Sequence, residues 1–237
     1  MPETIHRGET GRNFEGVSIH AALGVHEHAA LLVEAALAPG ARLLDAGAGS
    51  GALTTRLASL GYDVIASDLD GSSFQGGTPI VEWDLAAASL PAGIDPGTFD
   101  GVCAIETLEH VHDPTQAVRN LYALLRPGGQ LVVSTPNVTH PRSRVKFLLR
   151  GAPAYFGRQE FHTTGHRTIL PDWLLGALVA EAGFEDAQTS FAGSMQLRGV
   201  QRLGYGVASV VFRLLGWLPE PRTDDGCITF ITARKPA

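Results

Sequence analysis

Four stretches of this 237-residue chain end a short apolar run in side chains able to do chemistry. The run Ala41 to Leu44 closes in Asp45, and glycine follows at every second position, Gly47, Gly49 and Gly51. Glycine lets the backbone turn tightly and lets a ligand lie against it without a Cβ in the way. An acid beside such a loop favours a ligand with a cationic end, such as an ammonium group. Asp68 ends the run after Tyr62, 17 residues beyond Gly51, where a carboxylate can accept hydrogen bonds from ribose hydroxyls. Asp84-Leu85 follows Ile80-Val81-Glu82-Trp83, and Glu106, Glu109 and His110 follow the run Thr98 to Ile105. If the turn there is helical, Glu106, Glu109 and His110 face one way, and His166 or His162 could join them from further along the chain. Two carboxylates and one or two imidazoles make a mixed oxygen and nitrogen set suited to Mg²⁺, Mn²⁺ or Zn²⁺. The alternative is metal-free, with His110 packed or acting as a general base, Glu106 at the edge of a bound cofactor and Glu109 solvated.

Those residues need strands to end at a common rim. The apolar runs at 41–44, 62–67, 80–83, 98–105 and 131–135 read as strands. Between them lie a helix carrying Leu53, Leu57 and Leu60, and another opened by Pro114 with Ala117, Leu121, Leu124 and Leu125 on one face. Such alternation requires a parallel sheet of the doubly wound α/β class. A helical segment from Ser18 to Leu37 precedes it, holding His20, His26 and His28. After it come a helix begun by Pro171 with Trp173, Leu174, Leu178 and Val179 inward, a strand from Phe184 to Phe191 and a last strand from Cys227 to Ala233. Two segments depart from the alternation. The stretch from Pro141 to Arg158 holds Arg142, Arg144, Lys146, Arg150 and Arg158 without an acid, interleaved with Phe147, Leu148, Leu149, Tyr155 and Phe156. It reads either as a solvated basic helix or as a substrate lid that docks an anionic or membrane-held acceptor. The stretch 195–218 is amphipathic at helical spacing, which suits packing on the domain, a homodimer face or a membrane surface.

With 44% hydrophobic and 18% charged residues the chain is globular, and a net charge of −6 with a pI near 5.8 makes nucleic acid an unfavoured partner. Cys103 and Cys227 lie in apolar runs and read as buried thiols. No apolar run is long enough to span a membrane, so the expected location is the cytoplasm.

The text Leu-Asp-Ala-Gly-Ala-Gly-Ser-Gly at 44–51 resembles the cofactor loop of the class I S-adenosylmethionine-dependent methyltransferases. The text from Asp100 through Glu106, Glu109, His110, Val111, Asp113 and Pro114 resembles the branch that includes the ubiquinone-biosynthesis O-methyltransferases. The resemblance covers Ala41 to Asn137. It implies a Rossmann-like sheet of seven strands with the last antiparallel, an arm and helical lid at 1–40, and a single domain at 41–237 with insertions at 138–168 and 193–222. It implies O-methylation of a small-molecule acceptor, with S-adenosylmethionine held by Asp45, Gly47, Gly49, Gly51, Asp68, Leu69, Asp84, Leu85 and Glu106. There Asp84 bonds the adenine amino group and Leu85 lies against its ring. His110 and His166 are the implied catalytic residues. Glu106, Glu109, His110 and His166 resemble the metal site of small-RNA 2′-O-methyltransferases. Two other readings stay open: a nicotinamide-dependent oxidoreductase, and a non-catalytic member of the methyltransferase fold.

Overall fold

The computed structural model describes residues 12–194, Val210 and residues 226–237. A small hairpin, β1 (Asn13–Phe14) and β2 (Val17–Ser18), leads into α1 (Val25–Ala36). The main sheet takes β3 (Arg42–Ala46), β4 (Asp63–Asp68), β5 (Ile80–Glu82), β6 (Phe99–Ala104), β7 (Leu125–Pro136), β8 (Glu185–Ala192) and β9 (Ile228–Arg234). Its seven strands run in the order β5-β4-β3-β6-β7-β9-β8. Neighbours are parallel except around β9, which is antiparallel to both β7 and β8.

The pattern of β3 shows why it sits at the centre. Leu43 and Leu44 point to opposite faces and both are fully buried, as in a strand covered on both sides. Leu43 packs with Val25, Ala29, Val33, Leu53 and Leu57, beneath α1 and α2 (Ala52–Ser59). Leu44 packs with Leu108, Leu121, Leu124 and Leu175, beneath α3 (Pro114–Leu124) and α6 (Asp172–Glu181). Each such leucine contributes about 2 kcal/mol by leaving water, so the strands form a rigid platform. Because β3, β4, β5 and β6 are parallel, the loops after all four leave the same edge. That edge carries every candidate site residue up to His110.

Between β7 and α6 the chain inserts α4 (Pro141–Arg150) and α5 (Arg158–Thr163). Ser143 Oγ accepts the Ala154 amide at 2.9 Å and Lys146 pairs with Glu160 at 3.0 Å, tying α4, the following loop and α5 together.

Three sequence expectations are corrected. The first helix starts at Val25, not Ser18, because residues 17–18 pair with the hairpin and Gly24 adopts a left-handed φ of 84° at the helix start. On α6, Trp173 is 68% exposed, and Leu175 with Val179 makes the fully buried contact instead. The segment from Glu106 to His110 is a turn rather than a helix, and Glu106 takes a left-handed φ of 50°. The amphipathic stretch 195–218, and with it the expected dimer face, lies outside the described residues apart from Val210.

Candidate active site

The glycine loop is strapped to the end of β4. The amides of Gly47 and Ala48 both donate to Ser67 O, at 2.7 and 3.0 Å. The Gly49 amide donates to Asp68 Oδ2 at 2.7 Å. A Cβ on Gly47 would overlap the Thr107 side chain, and one on Gly51 would come within 2.7 Å of Phe74; on Gly49 it would meet nothing within 4 Å. The loop is therefore walled on both flanks and open in the middle. Thr107, which packs on Gly47 and donates to Ala46 O at 3.1 Å, brings the Glu106–His110 turn directly against it.

The three strand-end acids share the rim but differ in access. Asp45 is 2% exposed, and its Oδ2 accepts the Thr54 hydroxyl at 2.6 Å, so its carboxylate is engaged with the first turn of α2. Burial raises its pKa to about 6, against the opposing pull of that hydrogen bond. Asp68 is half-buried and holds the loop through Gly49. Asp84 is exposed and caps its own turn by accepting the Ala86 amide at 2.9 Å. Leu85 is buried and Leu69 is 72% exposed.

Beyond the loop, Glu109, His110 and His166 converge, with one potential ligand atom from each lying within 4.8 Å of the others. Backbone geometry makes this possible across 56 residues of chain. The amides of Arg167 and Thr168 both donate to Glu109 O at 3.0 Å, clamping the later segment onto the turn. The two imidazoles meet edge to face with centroids 4.7 Å apart. His166 Nδ1 lies 2.7 Å from Tyr155 O. Glu109 is fully buried, and neither of its carboxylate oxygens makes a well-formed hydrogen bond among the described residues, although the Thr135 hydroxyl and the Glu109 amide face it. Burial, reinforced by Glu106, pushes its pKa well above the usual carboxylate range. Burial also lowers His110 to about 4, with His166 acting in the same direction, and lowers His166 itself. Both shifts favour the neutral imidazole.

Glu106 stands apart from this cluster. Its backbone turn, with the Glu106 amide donating to Ser134 Oγ at 3.0 Å, carries the carboxylate toward the Ala22 amide, and burial raises its pKa to about 7. His162 is on the exposed side of α5 beside Phe161, outside the cluster. Sequence reasoning passed over Thr107 and Phe74, and named Tyr155 only as one of the aromatic residues of the inserted segment. The signal for its place in the site was the turn-forming spacing Gly151-Ala152-Pro153-Ala154-Tyr155-Phe156-Gly157.

A glycine loop after the central strand, acids at the next strand ends and an antiparallel strand inside the far edge together define the class I methyltransferase fold. The chain belongs to the methyltransferase-domain family, whose model, described as "Methyltransferase domain", matches residues 22–189. It is 41% identical over 108 residues to a "Ubiquinone biosynthesis O-methyltransferase" of Xanthomonas euvesicatoria, the match taking in 42% of this chain and 45% of that protein. The chain thus spans less than half the length of the curated relatives it matches. A SAM-dependent methyltransferase structure from Archaeoglobus fulgidus is similar with a TM-score of 0.60 at 18% identity, over 90% of this chain and 95% of that one. The Haemonchus contortus phosphoethanolamine N-methyltransferase 2, in complex with S-adenosyl-L-methionine, gives a TM-score of 0.60 at 17% identity, over 92% and 54% of the two chains. These likenesses show the fold. The nicotinamide alternative finds no support in them or in the sheet, whose β9 departs from the all-parallel order of dinucleotide-binding domains. Among the described residues no helix is long and apolar enough to cross a membrane.

Proposed function

We propose that the protein transfers the methyl group of S-adenosylmethionine to an oxygen of a small-molecule acceptor. The observation that carries this reading is the contact, through Thr107 and Gly47, between an open glycine loop anchored on Asp68 and the Glu109–His110–His166 cluster, of which Glu109 is buried. In this reading Asp68 takes the ribose hydroxyls, and Asp84, Leu69 and Leu85 flank the adenine. Gly47, Gly49 and Gly51, with Asp45 beneath them and Glu106 beyond, enclose the amino-acid end. The cofactor supplies a methyl group already activated by positive sulfur. The protein's part is to place the acceptor oxygen in line with it and to dispose of the acceptor's proton.

The second task separates the two readings of the cluster. An imidazole held near pKa 4 is a weak proton acceptor but a ready neutral lone-pair donor. A buried carboxyl whose oxygens make no well-formed hydrogen bond among the described residues also suits cation binding. The residues present therefore fit a divalent cation, held by Glu109, His110 and His166, with Glu106 to one side. A bound cation would lower the pKa of an acceptor hydroxyl. Glu109 would give up its proton on binding it, and the neutral histidines would orient the acceptor. The relatives' printed name, an O-methyltransferase, supports oxygen as the atom methylated.

The outer side of α4 supports a peripheral membrane contact. Phe147, Leu148 and Leu149 are exposed in succession, with Arg150 beside them. The N-terminal segment through α1 suits the role of a lid, since Ser18 O accepts the Ser50 hydroxyl of the glycine loop at 2.5 Å.

Calorimetry with S-adenosylmethionine, followed by a labelled-methyl assay on catechol and quinol acceptors, tests the reading. We expect binding by the wild type, its loss in Asp68→Ala, and transfer abolished by chelation or by Glu109→Ala at unchanged cofactor affinity. Full activity after chelation with a silent Glu109→Ala would remove the cation, and undiminished affinity in Asp68→Ala would remove the ribose role.

A further inference from the structure

Tyr155 lies outside every residue set assigned so far, yet it is the point at which the inserted segment touches the site. Its backbone is left-handed, with φ of 65°, one of four such non-glycine residues among those described. For a bulky aromatic this conformation is an outlier that persists only where surrounding contacts hold it. Those contacts are present. Ala154 on one side is buried and bonded to Ser143 Oγ at 2.9 Å. Phe156 on the other is 4% exposed, with its ring centroid 5.5 Å from that of His166. The Tyr155 ring packs against the core cluster that holds Cys227, Ile228 and Phe230, and its phenol lies in the field of the Cys227 thiol, Glu106 and Arg142.

The left-handed turn has one chemical result. It aims Tyr155 O at His166 Nδ1, 2.7 Å away. A carbonyl only accepts, so His166 carries its proton on Nδ1. Nε2 is then left as the ring's one available lone pair, on an imidazole that stacks edge to face on His110. A histidine whose second nitrogen is pinned by a carbonyl has both its tautomer and its ring direction fixed.

We propose that Tyr155 is a positioning residue for the methyl-transfer site: its ring, packed on the core beside Cys227 and β9, holds a strained backbone whose carbonyl sets the tautomer and direction of His166. The consequence for chemistry rests on the function proposed above; the tautomer does not. The insertion thereby becomes part of the site through its backbone. Seating of Tyr155 against β9 and orientation of His166 against Glu109 are one event.

The test uses substitution order and a spectroscopic readout. If the side chain matters because it holds the turn, Tyr155→Ala leaves the strain unopposed, whereas Tyr155→Gly adopts the same turn at no steric cost. We expect Tyr155→Ala to lower kcat by about 10- to 100-fold, the range for loss of an orienting partner, with S-adenosylmethionine affinity in calorimetry unchanged. Tyr155→Gly should recover most of that loss although it is the smaller residue. Long-range ¹H–¹⁵N spectra of histidine-labelled protein, assigned with His166→Gln, should show His166 protonated on Nδ1 in wild type and Tyr155→Gly, and a mixed tautomer in Tyr155→Ala. A glycine variant no better than the alanine variant, or a wild-type His166 protonated on Nε2, would overturn the proposal. Should Tyr155→Ala fail to fold, the glycine variant and the wild-type spectrum still decide it. Failure of the wild type to bind S-adenosylmethionine would instead count against the methyltransferase reading and leave the tautomer result standing.

Discussion

Gly47, Gly49 and Gly51 occupy alternate positions of one loop and all take left-handed φ, yet a methyl group added to each meets different surroundings. At Gly47 it collides with Thr107, and the turn bearing Glu109 and His110 must move. At Gly49 it enters open space, so the cost is confined to the backbone, about 1–2 kcal/mol for a non-glycine residue in this region. Gly49→Ala should therefore melt only slightly below wild type while losing at least about tenfold in S-adenosylmethionine affinity, because the added methyl occupies the surface a ligand would lie on. Gly47→Ala should melt much lower, and adding Thr107→Ala should return part of that loss, a coupling readable in a double-mutant cycle of melting temperatures. Equal effects at the two glycines would show that the loop has no open middle. The glycine spacing was legible in the sequence because it answers a backbone requirement that few other residues meet. The difference among the three glycines was not, since Thr107 and Phe74 reach the loop only through the fold. The same limit applies to Glu106: a helical reading of Glu106, Glu109 and His110 puts them on one face, and a left-handed turn takes the first elsewhere.

Elements show a parallel division. Strand β3, helix α3 and the switch to an antiparallel β9 follow from apolar runs, from Pro114 at the first helical turn behind the capping Asp113, and from a family resemblance in text. What the run from Ser18 to Leu37 did not reveal was its split into strand, loop and helix, because apolar residues at helical spacing also serve an irregular segment packed on a sheet. That segment matters for α1. His26 near its start has Nδ1 buried without a partner among the described residues, while the adjacent Glu27 pairs with the buried Arg56 at 2.9 Å, and Arg56 lies 4.2 Å from the centroid of the Phe14 ring. Burial, then the Arg56 charge, lowers His26 from 6.5 to about 4, with Glu27 opposing and His20 adding to the shift. The unfolded chain therefore takes up this proton before the folded one does. Stability from neutral His26 is fully present above pH 6.5 and is lost as pH falls toward 4. Relative to His26→Gln, which does not titrate, the wild type should lose on the order of 3 kcal/mol of unfolding free energy over that window. Asp45 acts with the opposite sign, since its raised pKa favours the folded state as pH falls from about 6. The comparison with His26→Gln cancels that contribution. Parallel pH curves for the two proteins in urea titrations would refute the assignment.

At the scale of the whole molecule, charge and apolar exposure are distributed unevenly. The chain carries a net charge of −6, yet residues 141–158 contain five basic residues and no acid. Not all of these reach solvent alike: Lys146 is paired with Glu160, and the Arg144 Nε donates to Thr139 O at 2.7 Å. Arg150 and Arg158 remain at the surface, and Arg150 directly follows Phe147, Leu148 and Leu149, which are 55%, 55% and 68% exposed. Three large apolar side chains in succession at a helix end are costly to leave in water, and the acidic remainder of the molecule would be repelled by an anionic bilayer. If α4 docks on a membrane as proposed, its end would attach chiefly by inserting its apolar residues, with about 1 kcal/mol from each basic residue near the surface. Salt then separates the contributions. Vesicles of phosphatidylglycerol and phosphatidylcholine should retain the protein in flotation, and raising salt from 0.1 to 0.5 M should weaken retention only in part, since screening removes the charge term and leaves insertion intact. The double substitution Leu148→Asp, Leu149→Asp should abolish retention while leaving melting temperature and S-adenosylmethionine affinity unchanged, because neither side chain belongs to the core or the loop. Retention that survives this variant, or that vanishes entirely in 0.5 M salt, would mean that the attachment is electrostatic and lies elsewhere. Because α4 is bonded through Ser143 to the loop carrying Tyr155, a bilayer at its outer end would lie on the same insertion that orients His166. An acceptor dissolved in that bilayer should then be methylated faster on vesicles than in detergent by the wild type, and at equal rates by the aspartate variant.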